Sequence, residues 1–291
     1  MSDSISKSIS INQADLDAYR HKGFYLRRGL FSPEIANNAA AWLHTQDQLA
    51  LAKSWTEQEP GVPLAVYSVV HHSADPIAKL TSDERILGIA STLMGKSTYL
   101  WSSKVNLKAA WCGTAEYYHQ DLVYWKDRGY PRDDMLSCMV FLEKHSIYNA
   151  ALHVVPGTHR YGFIPHEPFI NINGLSKRMI PPVTMDRLHK EHGIVVIDAE
   201  PGDALFFHAS LVHGSSHNIS SDGRMVVLAQ LNTVGNEPVG VSVQAREFNL
   251  ARAQVEYEDA ARRYKYFKEK YDQQLASDDL TFSSPIPSHE K

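Results

Sequence analysis

From about Thr98 to Val234 the apolar residues of this chain fall into short continuous or alternating runs, each bounded by Gly, Pro, Asn or Asp. The runs are Thr98 to Leu107, Met135 to Leu142, Ala151 to Val155, Ile194 to Asp198, Ala204 to Phe207 and Arg224 to Asn232. Short strands punctuated in this way predict two packed antiparallel sheets. The expected fold class is mainly β with flanking helices, built on a double-stranded β-helix, or jelly-roll, core.

Upstream the pattern changes. Residues 1–10 are Ser-rich and expected to be loose, and Asn12 to His21 reads as a helix capped by Asn12. Gly23-Phe-Tyr-Leu-Arg-Arg reads as a strand, and Ser32-Pro-Glu opens a helix expected to run to about Leu49, with Ser as cap and Pro at the first helical position. The region from about 12 to 95 is thus expected to form a helical buttress. Glu167 to His192, with Pro181-Pro182 and little strand character, reads as a long insertion that forms part of a lid. Beyond Glu247 a helix is expected over about 248–275, followed by a disordered tail, 277–291. No repeat and no sharp composition break divides the chain, so residues 1–291 are expected to form one domain.

Composition narrows the function classes. Hydrophobic residues make up 43% of 291, enough to bury a core, and 29 Lys+Arg against 33 Asp+Glu leave a net charge of -4. That balance gives no electrostatic footprint for nucleic acid or an anionic membrane. No apolar signal-peptide core and no run of about 18 apolar residues occurs, so a cytoplasmic protein is expected, acting on a small molecule. Cys112 and Cys138 have no metal-binding spacing and read as buried thiols.

The densest chemical signal is Tyr117-Tyr118-His119-Gln120-Asp121, followed at a distance by His213-Gly214-Ser215 and Arg224. His119 and Asp121 are two apart, so on a strand or extended turn both side chains point to one side. With one further imidazole, His213, three ligands occupy one face of an octahedron, as in Fe(II) oxygenases that keep positions open. A His-x-Asp pair alone arises often by chance. Arg224 changes that, because a guanidinium eleven residues past His213 can hold the distal carboxylate of 2-oxoglutarate in a bidentate fork. His208 reads as the end of a core strand, His217 as a turn residue, and His159 either as a group behind the ligands or as part of the Pro156-Gly157 turn. His71-His72 reads as a solvated pair, because adjacent side chains diverge on a strand. Trp125, in the polar run Trp-Lys-Asp-Arg-Gly, is expected to line a pocket for want of core to fill.

With these residues in view, the chain resembles the phytanoyl-CoA dioxygenase superfamily of Fe(II)/2-oxoglutarate oxygenases, and within it the ectoine hydroxylases. The matching stretches are Lys104-Val-Asn-Leu-Lys108, Tyr118-His-Gln-Asp-Leu-Val-Tyr-Trp125, Val155-Pro-Gly-Thr-His159, Pro201-Gly-Asp-Ala-Leu-Phe-Phe207 and His213-Gly-Ser-Ser-His-Asn-Ile-Ser220. The opening Tyr25-Leu-Arg-Arg-Gly-Leu-Phe-Ser-Pro-Glu34 is also similar. The resemblance implies a cupin-like jelly roll that uses Fe(II), with 2-oxoglutarate and O2 as cosubstrates, and releases succinate and CO2. It implies His119, Asp121 and His213 as metal ligands, Arg224 as the 2-oxoglutarate anchor with Asn106 beside the cosubstrate, Ser215 as a cofactor-binding serine of the pocket, and Trp125 as an aromatic wall of the substrate pocket.

The chain also departs from that pattern. Asn149-Ala150-Ala151 stands where relatives often have Asn-Gly, and Glu116 stands where an aromatic pocket residue is common. Glu116 and Lys104 are accordingly expected to act as charge partners of the substrate, read as a free amino acid or a cyclic or amine-containing derivative. Asp121 argues against a halogenase, which needs that ligand position free for chloride. Two other readings stay open from sequence: a redox-neutral metal-dependent enzyme of the same shape, and a non-catalytic metal-binding sensor. Neither needs Arg224 at its offset.

Overall fold

A computed structural model describes residues 11–45, 54–55, 64–69, 76–111, 113–170 and 176–239. Helix α1 (Gln13–Lys22) starts where the Asn12 side chain accepts from the Asp15 backbone N–H, and stops at Gly23, whose φ of 83° is open to a residue without Cβ. The chain then enters β1 (Phe24–Arg27) and, after a turn, α2 (Pro33–Thr45). There follow β2 (Ser54–Trp55), β3 (Leu64–Val69), α3 (Pro76–Thr81) and α4 (Glu84–Met94).

The core begins with β4 (Thr98–Lys108), β5 (Glu116–His119), α5 (Leu122–Asp127) and β6 (Met135–Phe141). It continues through β7 (Leu152–Val155), β8 (Glu167–Ile170), β9 (Ser176–Met179) and α6 (Pro182–His192). It closes with β10 (Val195–Val196), β11 (Ala204–His208), β12 (Val212–Ser215) and β13 (Arg224–Thr233).

Two antiparallel sheets make the jelly roll. The larger has the order β1-β11-β6-β13-β4-β3-β2 and the smaller β10-β7-β12-β5. β6 and β13 are buried along their whole length, which is why they read as continuous apolar runs rather than as alternation. Their outer faces, with Leu136, Cys138, Val140, Val227 and Ala229, pack under α2, α3 and α4 through Ala36, Leu43, Ile77, Ile86 and Ile89. Their inner faces, with Met139, Phe141, Val226 and Leu228, meet Leu152 and Val154 of the smaller sheet. Each such fully buried large side chain contributes about 1.5 to 3 kcal/mol.

The buttress is not helical throughout. β1 forms the edge of the larger sheet against β11, with Phe24 opposite Phe207, and β2 and β3 extend its other edge. Asp203 fastens this opening segment to the barrel: its carboxylate accepts from Arg28 Nη1 at 2.6 Å and from the Gly29 backbone N–H at 2.8 Å.

The expected insertion at 167–192 also differs from its sequence reading. It holds a separate two-stranded hairpin, β8 with β9, and a full helix, α6. Pro181-Pro182 begins that helix instead of breaking a loop, because proline at the first helical position lacks only an N–H that would have no helical partner. Glu-Pro-Phe-Ile and Ser-Lys-Arg-Met have no sustained alternation to announce strands. The strand expected over Ile194 to Asp198 is only Val195–Val196. The helix end near Leu49, His71-His72, Cys112, the helix over 248–275 and the tail lie outside the described residues, while Cys138 is a buried free thiol. Among the described residues no helix is long and apolar enough to cross a membrane.

Candidate active site

β5 and β12 pair so that His119 lies directly opposite His213, with ring centroids 4.4 Å apart. Asp121 joins them from just beyond the strand. It is not in extended backbone but in the right-handed helical conformation, at the start of α5, so the turn from strand to helix brings it beside His119. Gln120 locks that turn: its Nε2 donates to the Gly162 and Ser210 carbonyls at 2.8 and 2.6 Å, and its Oε1 accepts from the Ile164 N–H at 2.8 Å. The ligating atoms of His119, Asp121 and His213 lie within 4.8 Å of one another and could hold one metal ion.

The groups behind them fix which atoms face inward. His119 Nδ1 bonds the Tyr117 carbonyl at 2.8 Å and His213 Nδ1 bonds that of Leu211 at 3.0 Å, so both Nε2 atoms are left for a metal. Ser137 Oγ donates to Asp121 Oδ2 at 2.7 Å, leaving Oδ1 turned toward the two imidazoles, 3.9 Å from His119 Nε2 and 3.8 Å from His213 Nε2. Burial, then the neighbouring His213, pulls the His119 pKa down to about 3. Burial alone would raise that of Asp121, but His213, Lys104 and His119 hold it below the usual carboxylate range. At neutral pH the set therefore offers a neutral imidazole at His119 and a carboxylate, the forms a divalent cation takes.

β5 carries a bulge here. Between the pairs His213 with His119 and Ser215 with Glu116, β12 advances two residues and β5 three. The extra residue turns Glu116 onto the same inner face as His119, which strict alternation would forbid. Gly214 sits at the tight point, where an added Cβ would come within 2.9 Å of the Glu116 carbonyl oxygen.

Opposite, the larger sheet presents Lys104, Asn106 and Lys108 from β4 beside Leu228, Val226 and Arg224 of β13, paired in register. Arg224 is 3% exposed. Its Nη1 donates to the Ala150 carbonyl, while its buried Nε and the buried Oδ1 of Asn106 have no hydrogen-bond partner among the described residues. Burial lowers the guanidinium pKa to about 10, against the pull of Glu116. Ala150 adopts φ 67°, the left-handed region, which explains why glycine suits this position. Lys108 is also buried, and its Nζ donates to the Thr114 carbonyl at 2.6 Å, the Ser216 carbonyl at 2.7 Å and Ser215 Oγ at 2.8 Å. Two imidazoles and one carboxylate are a donor set that fits Fe(II), and a buried guanidinium with an N–H unpartnered among the described residues fits one carboxylate of a dicarboxylate.

The model of the phytanoyl-CoA dioxygenase (PhyH) family matches residues 19–226, a span that contains the three metal-ligand candidates and Arg224. The chain belongs to this family. As a member it is a 2-oxoglutarate-dependent dioxygenase, a hydroxylase, that works with Fe(II) and O2. The ectoine dioxygenase of Bordetella bronchiseptica is 29% identical over 238 residues, covering 78% of this chain and 77% of that one. The L-proline trans-4-hydroxylase of Streptomyces griseoviridis is 29% identical over 200 residues, covering 62% and 75%. The crystal structure of EctD from S. alaskensis with 2-oxoglutarate and 5-hydroxyectoine superposes with a TM-score of 0.64 at 26% identity, covering 79% of this chain and 80% of that one.

Within this PhyH-family site the remaining residues sort by position. Trp125 does not lack core to fill: it is fully buried in a cluster with Tyr99, Trp101, Leu122 and Tyr130, edge-on to Trp101, and its Nε1 has no partner among the described residues. The polar residues after it misled because α5 is a short surface helix that turns one face inward. Lys104 is half-buried and acts on Asp121 through its charge. Ser215 is tied to Lys108, and Glu116 is paired with Lys177 of β9. His159 bonds the Arg20 carbonyl at 3.1 Å and packs on the opening segment, His208 stacks beside it, and His217 is exposed. Sequence reasoning missed Lys108, although Lys104-x-Asn106-x-Lys108 carries the period of two that puts all three on one face. It also missed Gln120, Ser137 and His145, a buried imidazole with an unpartnered Nε2, none of which local pattern distinguishes from packing.

Proposed function

We propose that this enzyme hydroxylates an unactivated C–H bond of a free amino acid, or of a cyclic or amine-containing amino acid derivative, with release of succinate and CO2. The observation that carries the reading is Arg224, a buried guanidinium on the inner face of the sheet opposite the three metal-ligand candidates, its Nε unpartnered among the described residues. In this reading His119, Asp121 and His213 hold iron. Arg224 takes the distal carboxylate of 2-oxoglutarate, with Asn106 and Ser215 beside it.

Bound iron and 2-oxoglutarate supply the oxidising chemistry. The chain's own residues set the geometry: Ser137 and the two backbone carbonyls orient the ligands, and Phe207, its ring tilted against that of His213 with centroids 4.9 Å apart, would help keep water from a bound metal. Lys108 fixes Ser215 by donating to its oxygen, so that the Ser215 hydroxyl proton is available to an anion. No side chain needs to act as a general acid or base.

The substrate half of the reading is supported by two relatives named for ectoine and L-proline, and by charges of both signs beside the metal-ligand candidates, Glu116 and Lys104. The enzyme is proposed as one domain. The test is an anaerobic titration with Fe(II) and 2-oxoglutarate, followed by the visible charge-transfer band, and then succinate release across a panel of free L-amino acids. A band in the wild type that weakens in Arg224→Ala, with succinate release accelerated by a free amino acid, is the expected result. Turnover of acyl thioesters alone would overturn the substrate class.

A further inference from the structure

We infer that Lys177 and Glu116 form a bipolar clamp that reads the carboxylate and the ammonium of a zwitterionic substrate, which makes Lys177 a specificity-determining residue. The inference rests on the amino-acid reading above and deepens it.

Three observations bear on the pair's place beside the metal-ligand candidates. The β5 bulge turns Glu116 onto the face of His119 and His213. Lys177 Nζ donates to Glu116 Oε1, and Oε2 has no hydrogen-bond partner among the described residues, so it is open to a second cation. Lys177 is also reached from the metal ligands by a chain of contacts. Tyr124 packs edge-on to His119 at 5.8 Å, and its hydroxyl accepts from the Arg178 backbone N–H at 3.3 Å. Arg178 Nη2 in turn donates to Asp127 at 2.9 Å. The backbone next to Lys177 is therefore pinned, while the lysine side chain has four rotatable bonds with which to follow a ligand.

The hairpin does not need this ion pair as a fastening. Arg178 with Asp127 holds β9, and Phe169 packs edge-on against Tyr117 at 5.0 Å to hold β8. A pair whose side chains are 21% and 34% exposed gains little net stability, and an apolar pair would fasten as well. Its chemistry instead matches an α-amino acid: the ammonium replaces Lys177 on Glu116, and the displaced lysine takes the carboxylate. Each charge keeps a partner throughout, so binding leaves none buried alone. Lys104, set over Asp121 from the opposite sheet, remains outside the exchange.

The experiment compares kcat/KM for the best free amino acid with its N-acetyl and carboxamide forms, in wild type, Lys177→Met, Glu116→Gln and the swapped Glu116→Lys/Lys177→Glu enzyme. Charge-transfer titration and thermal unfolding are run alongside on each. Wild type should discriminate against both blocked forms. Lys177→Met should lose about tenfold or more on the free acid and hold its rate on the carboxamide, with Glu116→Gln doing the same for the N-acetyl form. The swapped enzyme should fold, bind 2-oxoglutarate and fail on the zwitterion. Equal losses on all three forms, or unchanged discrimination, would overturn the clamp and leave the pair as a hairpin fastening. If the loaded wild type turns over no free amino acid, the substrate reading itself fails, and that result appears before any variant is compared.

Discussion

Arg224 and Lys108 lie directly opposite each other in the β13–β4 ladder, so two buried cations stand side by side on the inner wall of the barrel. Like charges across a sheet are destabilising, and only Lys108 is surrounded by a full set of acceptors.

Arg224 should therefore carry a cost in the cosubstrate-free enzyme. Burial depresses its pKa from 12.5 to about 10, so it is charged at neutral pH and the cost is fully present there. Arg224→Met is expected to leave the thermal midpoint of the apo-protein unchanged or raised, because an apolar side chain of similar length replaces a poorly paired charge. The same variant should lose the rise in midpoint that saturating 2-oxoglutarate gives the wild type. A large fall in apo stability would show that the guanidinium is a structural brace.

Ala150 offers its carbonyl to Arg224 from the left-handed region, where an L-residue is strained by about 1 to 2 kcal/mol. Ala150→Gly relieves that strain and gives back about 0.4 to 1 kcal/mol through the freer unfolded chain. A net gain of up to about 1.6 kcal/mol is expected in urea unfolding, with 2-oxoglutarate affinity retained because the carbonyl stays in place.

Acid should destabilise the apo-protein earlier than carboxylate titration alone would. His119 is held down to about 3 from an ordinary 6.5, and burial, with neighbouring cations, also lowers His159 and His166 to about 4. Between about pH 6.5 and 3 the unfolded chain binds more protons at these positions than the folded one. The stability they contribute is complete above about pH 6.5 and is lost as the pH falls through that window, at up to about 1.4 kcal/mol per pH unit for each group. Urea midpoints measured from pH 8 to 4 check this, and a flat profile above pH 5 would contradict it. Iron affinity should fall in the same direction, since protons compete for the imidazoles.

Ser137 donates to the Asp121 oxygen turned away from the imidazoles. Ser137→Ala should weaken Fe(II) binding about 10- to 100-fold while costing only about 1 kcal/mol of folding stability. Competition with a chromophoric chelator measures the first and chemical denaturation the second. Equal loss in both would mean that the serine supports the fold and not the metal.

Much of this molecule can be read from residue order alone. The strand runs, the cap at Asn12, the metal-ligand candidates and Arg224 are all local signals, because side-chain chemistry and period are written residue by residue. The acidic ligand candidate is a partial case: His119 and Asp121 do share a side, yet through a strand-to-helix turn locked by Gln120 and not through strand alternation. What only the tertiary structure decided is which distant groups meet. Lys108 under Ser215, Lys177 on Glu116, Ser137 behind Asp121 and Trp125 in a closed aromatic cluster all depend on sheet register and on helix docking. A single bulge in β5 moved Glu116 to the opposite face. The physical reason is that a one-residue slip inverts every side chain beyond it, and the slip is set by contacts between strands far apart in the chain.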